Sequence, residues 1–135
     1  MRLTVLGTFV LGFVVAVGVP RARATQGNPE AAKLKNPVAA SADSIAAGKA
    51  IYQRRCSACH GADAKGGPAK EDFLKAAPNL IDDKADHGTS EGEVFSVIKY
   101  GVPPDLVMDA WGERLSDTDI WNIVNYLQDL AKKNK

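Results

Sequence analysis

Cys56-Ser57-Ala58-Cys59-His60 is the stretch whose reading decides the fold. Cysteines three apart in one helical turn project from the same face. Both thiolates can then form thioethers to the two vinyl groups on one edge of a porphyrin. The imidazole that follows directly comes to lie beneath the ring. Cys-x-x-Cys-His is therefore the pattern of covalent haem attachment, with His60 as the proximal iron ligand. Two other chemistries use such a pair. A redox-active dithiol wants a strand before the motif and a βαβ surround, whereas the residues before Cys56 read as helical. Structural zinc wants four Cys or His ligands, and outside the motif only His87 remains to supply one.

Upstream, Arg2, the apolar run Leu3–Val19 and the small-residue site Ala22-Arg23-Ala24 follow the order of an export signal, so residues 1–24 are expected to be cleaved. The rival reading is an uncleaved anchor. The run is 17 residues long and diluted by Gly7, Gly12 and Gly18, near the lower bound for crossing a bilayer. Either way the remainder crosses a membrane, which predicts a periplasmic domain, soluble if cleaved and tethered if not. Bacterial haem attachment takes place on that same side.

Cleavage would leave 111 residues, one domain's worth. Losing Arg2, Arg21 and Arg23 takes the basic count from 17 to 14 against 16 acidic residues, a net charge of −2 in place of +1. Nothing in that balance suggests nucleic acid. The run Lys132-Lys133-Asn134-Lys135 is a solvated tail that complements a helix dipole.

Residues 25–43 are rich in Ala, Asn, Pro and Lys, with Pro29 and Pro37 breaking any helix, and are expected to form a flexible leader. The domain proper is then 44–135. Ser44 is expected to cap a first helix running to Cys56, with Ile45, Gly48, Ile51, Tyr52 and Arg55 at helical spacing. Gly48 makes most sense where another helix crosses closely. Residues 61–77 read as loop, with one helical turn near Glu71–Lys75. Ser90-Glu91-Gly92-Glu93 is a capping box opening a helix to Tyr100, and Gly101 follows as its C-cap. Pro103-Pro104 forces an irregular loop that holds Met108. Ser116 with Asp119 caps the last helix, striped by Ile120, Ile123, Val124, Leu127, Leu130 and Ala131. No alternating strand pattern appears.

The fold class is all-α: a few short helices and long loops wrapped around one covalently bound haem. Three modest helices bury little surface alone, and a haem supplies the missing apolar centre. Apart from Met1, Met108 is the only methionine. It is the candidate sixth ligand, against the alternative of a gap-filling core residue. His87, set among Asp82, Asp83 and Asp86, reads as a surface histidine.

The segment 44–130 resembles a class I monohaem cytochrome c of bacterial type. Gly48-Lys49-Ala50-Ile51-Tyr52 followed by Cys56-x-x-Cys59-His60-Gly61 resembles the family's first helix and haem motif. Pro78-Asn79-Leu80 resembles its Pro-Asn-Leu element, in which the proline carbonyl accepts a hydrogen bond from the proximal histidine. The resemblance thus makes Pro78 the partner that orients His60, and adds Asn79 and Trp111 to the haem contacts. Met108-Asp109-Ala110-Trp111 resembles the distal methionine loop, and Leu115 to Leu127 the last helix, which in the family crosses the first near a glycine and an aromatic. The family often has proline directly after the ligand methionine; here that residue is Asp109.

The resemblance implies a one-electron carrier, with His60 and Met108 as both axial metal ligands, no catalytic residue, and redox proteins as donor and acceptor. Arg54, Arg55, Lys65 and Lys70 are candidates for steering an acidic partner. The alternatives are a haem subunit or domain of a larger oxidase or dehydrogenase complex, and an open-site haem enzyme or gas sensor.

Overall fold

The computed structural model describes residues 28–67, 76–82, 87–102 and 108–135. Five helices follow in order: α1 (Pro29–Ala32), α2 (Ala42–Arg55), α3 (Ser57–His60), α4 (Glu91–Tyr100) and α5 (Asp117–Lys133). Among the described residues there is no strand, only an isolated antiparallel bridge between Gly67 and Ala77. The expected signal and the turn near Glu71–Lys75 lie outside the described residues.

Helix α5 organises the packing. Ser116 and Asp119 form a reciprocal capping box at its start, and Ile120, Ile123 and Val124 are almost completely buried. Its buried face is wider than the expected stripe, since Trp121, Asn125 and Tyr126 are buried as well. Helix α2 crosses it at Gly48, where a Cβ would overlap the backbone carbonyl oxygen of Asn122. The crossing is thus a backbone-to-backbone approach that only glycine permits. Tyr52 of α2 meets Tyr126 of α5 with ring centroids 5.4 Å apart, inclined at 53°. Helix α4 lies on the same helix through Phe95, stacked on Trp121 at 4.0 Å, a pairing worth roughly 0.5–1.5 kcal/mol beyond its area.

Two expectations need correction. Ser44 does not cap α2; Ser41 does, accepting from the Ser44 backbone N–H. Ser44 instead turns its hydroxyl inward, donating to Asn122 Oδ1 at 2.6 Å and accepting from Asn125 Nδ2 at 2.8 Å. A serine one turn into a helix can serve a neighbouring helix instead of its own end. Arg55, placed on the packed face by spacing, is exposed.

Nor is the segment before α2 a free leader where it is described, from Asn28 onward. Asn28 caps α1 with Pro29 in the first helical position, where proline's missing N–H costs nothing and its fixed φ favours the helix. Pro29 therefore starts a helix where it was expected to prevent one. The turn packs on α4: a Cβ on Gly92 would collide with the Ala31 carbonyl oxygen. Beyond it, Asn36 donates from Nδ2 to Asn125 Oδ1 at 2.8 Å, and its backbone N–H donates to Glu91. Asn125 Nδ2 in turn faces the carbonyls of Val38 and Ala39. The segment is stitched across α4 and α5 by side-chain amides.

Candidate functional site

The haem motif forms the turn expected of it. Cys56 ends α2, its carbonyl accepts from the N–H groups of Cys59 and His60 at 3.1 and 3.0 Å, and α3 closes on His60. Neither cysteine forms a disulfide, Cys56 being half-buried and Cys59 exposed. Until haem is attached, burial, reinforced by neighbouring Cys59, pushes the Cys56 thiol up to about 11.

His60 is buried, 9% exposed. Desolvation lowers its pKa, and the backbone of Pro78, which faces the ring, opposes that shift. Nδ1 is a buried nitrogen with no hydrogen-bond partner among the described residues. Burial favours the neutral imidazole, the form in which histidine ligates a metal. Free thiols on one turn and this imidazole together fit a haem: Cys56 and Cys59 would hold its vinyl edge and His60 its iron.

The chain beyond the motif folds back over it. Gly66 donates to the His60 carbonyl at 3.0 Å, and Leu80 donates to the carbonyl of Ala64 at 2.8 Å. Ala64 is fully buried and adopts φ of 60°, a left-handed conformation costing a non-glycine residue about 1–2 kcal/mol. This bend brings Pro78 and Asn79 to the motif. Asn79 turns its Oδ1 onto its own chain, accepting from Ile81 N–H at 2.9 Å.

Met108 belongs to a second cluster at the end of α4. Gly101 ends that helix at φ 72°, and Val102 N–H donates to the Met108 carbonyl at 3.1 Å. A Cβ on Gly101 would press on that same oxygen at 2.6 Å. Trp111, half-buried against the core, donates to the Ile98 carbonyl at 3.0 Å. Arg114 lies over its ring at 5.4 Å and reaches Asp109 at 3.7 Å. The residue that replaces the family's proline is thus tied to the loop's other end, although an exposed pair of this kind adds only about 0–1 kcal/mol. His87 is exposed, as are Arg54, Arg55 and Lys65, while Lys70 lies outside the described residues. No group of three or more His, Cys, Asp or Glu side chains suited to a metal ion occurs among the described residues.

The residues missed by sequence reasoning are Tyr52 and Gln53, which donate to the carbonyls of Gly61 and Ala62 at 2.8 and 3.3 Å. Their helical spacing marked Tyr52 for the core, and nothing in the pattern showed that its hydroxyl reaches the motif.

Residues 43–127 match the family described as Cytochrome C oxidase, cbb3-type, subunit III. The chain is 33% identical over 96 residues to the cbb3-type cytochrome c oxidase subunit CcoP of Azospirillum sp. (strain B510), covering 71% of this chain and 32% of that protein. Cytochrome c6 of Cladophora glomerata is 32% identical over 95 residues, covering 70% of this chain and 97% of that protein. The chain spans about a third of the length of the CcoP and FixP subunits it matches. Among solved structures, cytochrome cL of Methylophaga aminisulfidivorans superposes with a TM-score of 0.51 at 23% identity, covering 66% of this chain and 54% of that one. A Kuenenia stuttgartiensis reducing HAO-like protein complex gives 0.57 at 24%, covering 73% and 48%. These two likenesses speak for the fold alone. With its Cys56-x-x-Cys59-His60 turn, the chain belongs to the cytochrome c family, in the group of the cbb3-type oxidase subunit III domain, and carries covalent haem c.

Proposed function

We propose that this domain is a one-electron carrier, with His60 and Met108 as the two axial ligands of its haem c. When bound, the haem supplies a one-electron ferric/ferrous couple. His60 would hold the iron from one side, with Pro78 as the residue that orients its ring. Met108 would hold it from the other and so close the metal to substrate. A thioether ligand favours the reduced state, and the buried surroundings of His60 work in the same direction by penalising added positive charge. The observation that carries this reading is the burial of His60 directly after two cysteines on one turn, with Gly66 bonded back to its carbonyl. Donor and acceptor would be exported or membrane redox proteins, docking through small transient contacts. Among the described residues no helix is long and apolar enough to cross a membrane. A second reading, a haem domain working inside a larger oxidase complex, is favoured by the match to about a third of the CcoP and FixP subunits. The near-complete match to cytochrome c6 favours the free carrier.

Oxidised and reduced visible spectra of the holoprotein test the proposal, repeated for Met108→Ala. The expected result is a low-spin haem with a weak far-red methionine–iron band that the substitution abolishes. A high-spin wild-type spectrum with ready CO binding would overturn the carrier reading in favour of an open site.

A further inference from the structure

We infer that Tyr52 and Gln53 act as a clamp that fixes the orientation of the His60 ring, with Tyr52 as the positioning residue. The inference rests on His60 being the iron ligand. Two consecutive side chains near the end of α2 donate to two consecutive carbonyls of the chain leaving His60. Tyr52 Oη donates to Gly61 O at 2.8 Å and Gln53 Nε2 to Ala62 O at 3.3 Å. A third bond, from Ser57 Oγ to Gln53 O at 2.7 Å, ties the start of α3 to the same turn of α2.

His60 is therefore held on both sides. Its own N–H donates to Cys56 O, and its carbonyl accepts from Gly66. The clamp takes hold one residue further on, at Gly61, where φ of 78° reverses the chain. Gly61 O also accepts from Ala64 N–H at 3.3 Å, so the Tyr52 hydroxyl secures a carbonyl at the centre of the bend. With its backbone fixed in this way, the imidazole keeps only side-chain torsions, and these are limited by the burial of the ring. The two bonds differ in strength. Gln53 is exposed and its bond long, whereas Tyr52 is fully buried and packed on Tyr126 at the α2–α5 crossing. The helix crossing and the histidine are thus linked through one phenol.

The test is the spread of the haem methyl proton shifts in the paramagnetic NMR spectrum of the ferric holoprotein, which follows the plane of the axial imidazole. Tyr52→Phe keeps the ring and removes only the hydroxyl, and is expected to change the spread. Ile123→Val, a core substitution at the same crossing, is expected to lower the melting temperature and leave the spread as in wild type. An unchanged spread in Tyr52→Phe, or equal changes in both variants, would overturn the clamp and leave Tyr52 a core residue. Should Tyr52→Phe fail to take up haem, Gln53→Ala decides: a smaller change supports the clamp and no change overturns it. A wild-type spectrum lacking a low-spin, histidine-ligated haem would instead overturn the assignment of His60.

Discussion

The Asn36 side chain donates to that of Asn125 at 2.8 Å, across 89 positions of sequence. It joins the segment that precedes α2 to the middle of α5. Asn125 is 4% exposed and serves four partners with one amide, since its Nδ2 also faces Val38 O, Ala39 O and Ser44 Oγ while its own backbone stays in the helix.

Asn125→Ala removes one bond from each of those groups, although Asn36 Nδ2 keeps Trp121 O and the Ser44 hydroxyl keeps Asn122 Oδ1. An intramolecular hydrogen bond contributes about 0.5–1.5 kcal/mol net, and an overall loss of roughly 2–3 kcal/mol is expected in urea unfolding of the holoprotein. The segment 28–41 should also become an early target for limited proteolysis. Retained stability with an unchanged cleavage pattern would contradict the stitching.

Gly48→Ala tests the crossing through its sign. In an open helix the change gains up to about 1 kcal/mol. Here the added Cβ would overlap the Asn122 carbonyl oxygen, so forcing α2 and α5 apart is expected to cost about 1–3 kcal/mol. Differential scanning calorimetry showing a higher melting temperature would rule out the close approach.

Burial, with smaller contributions from Cys56, Tyr126 and Asp63, holds the Tyr52 phenol protonated above its ordinary value of 10.0. The unfolded chain then releases this proton first. The stabilisation is fully present below about pH 10 and fades as the pH rises through the folded value. Wild type is expected to lose stability between about pH 10 and pH 12 more steeply than Tyr52→Phe. Parallel losses in urea titrations at the two values would show that the phenol is not shielded.

Cys59→Ser leaves Cys56 as the one thioether donor. The haem should stay with the protein in acidified acetone, while the alkaline pyridine spectrum moves to longer wavelength because one vinyl group is restored. A spectrum identical to wild type would mean that Cys59 forms no bond to the haem.

What could be seen in advance depended on how local the cause was. The turn from Cys56 to His60 was legible because attachment chemistry dictates residue types at fixed spacing. The capping boxes at Ser90 and Ser116 were legible because each is a bond between residues three apart. Gly48 stood out as a poor helix former placed where only a crossing explains it. Asn36 and Asn125 were not legible and Ser44 was read as a cap, since each finds its partner about 80 positions or more away in the sequence. Pro29 misled for a different reason: proline forbids a helix around it but favours one that begins at it, and composition alone does not separate the two. The phenol at Tyr52 and the left-handed Ala64 follow from how loops close, which no periodicity records.

The crossing at Gly48 joins the first long helix of the domain to the last. The two backbones touch there with no side chain between them. Neither helix can slide along the other without breaking that contact, so the two ends of the domain are held in one fixed register. The same architecture can stand alone at nearly the full length of cytochrome c6 or occupy about a third of an oxidase subunit.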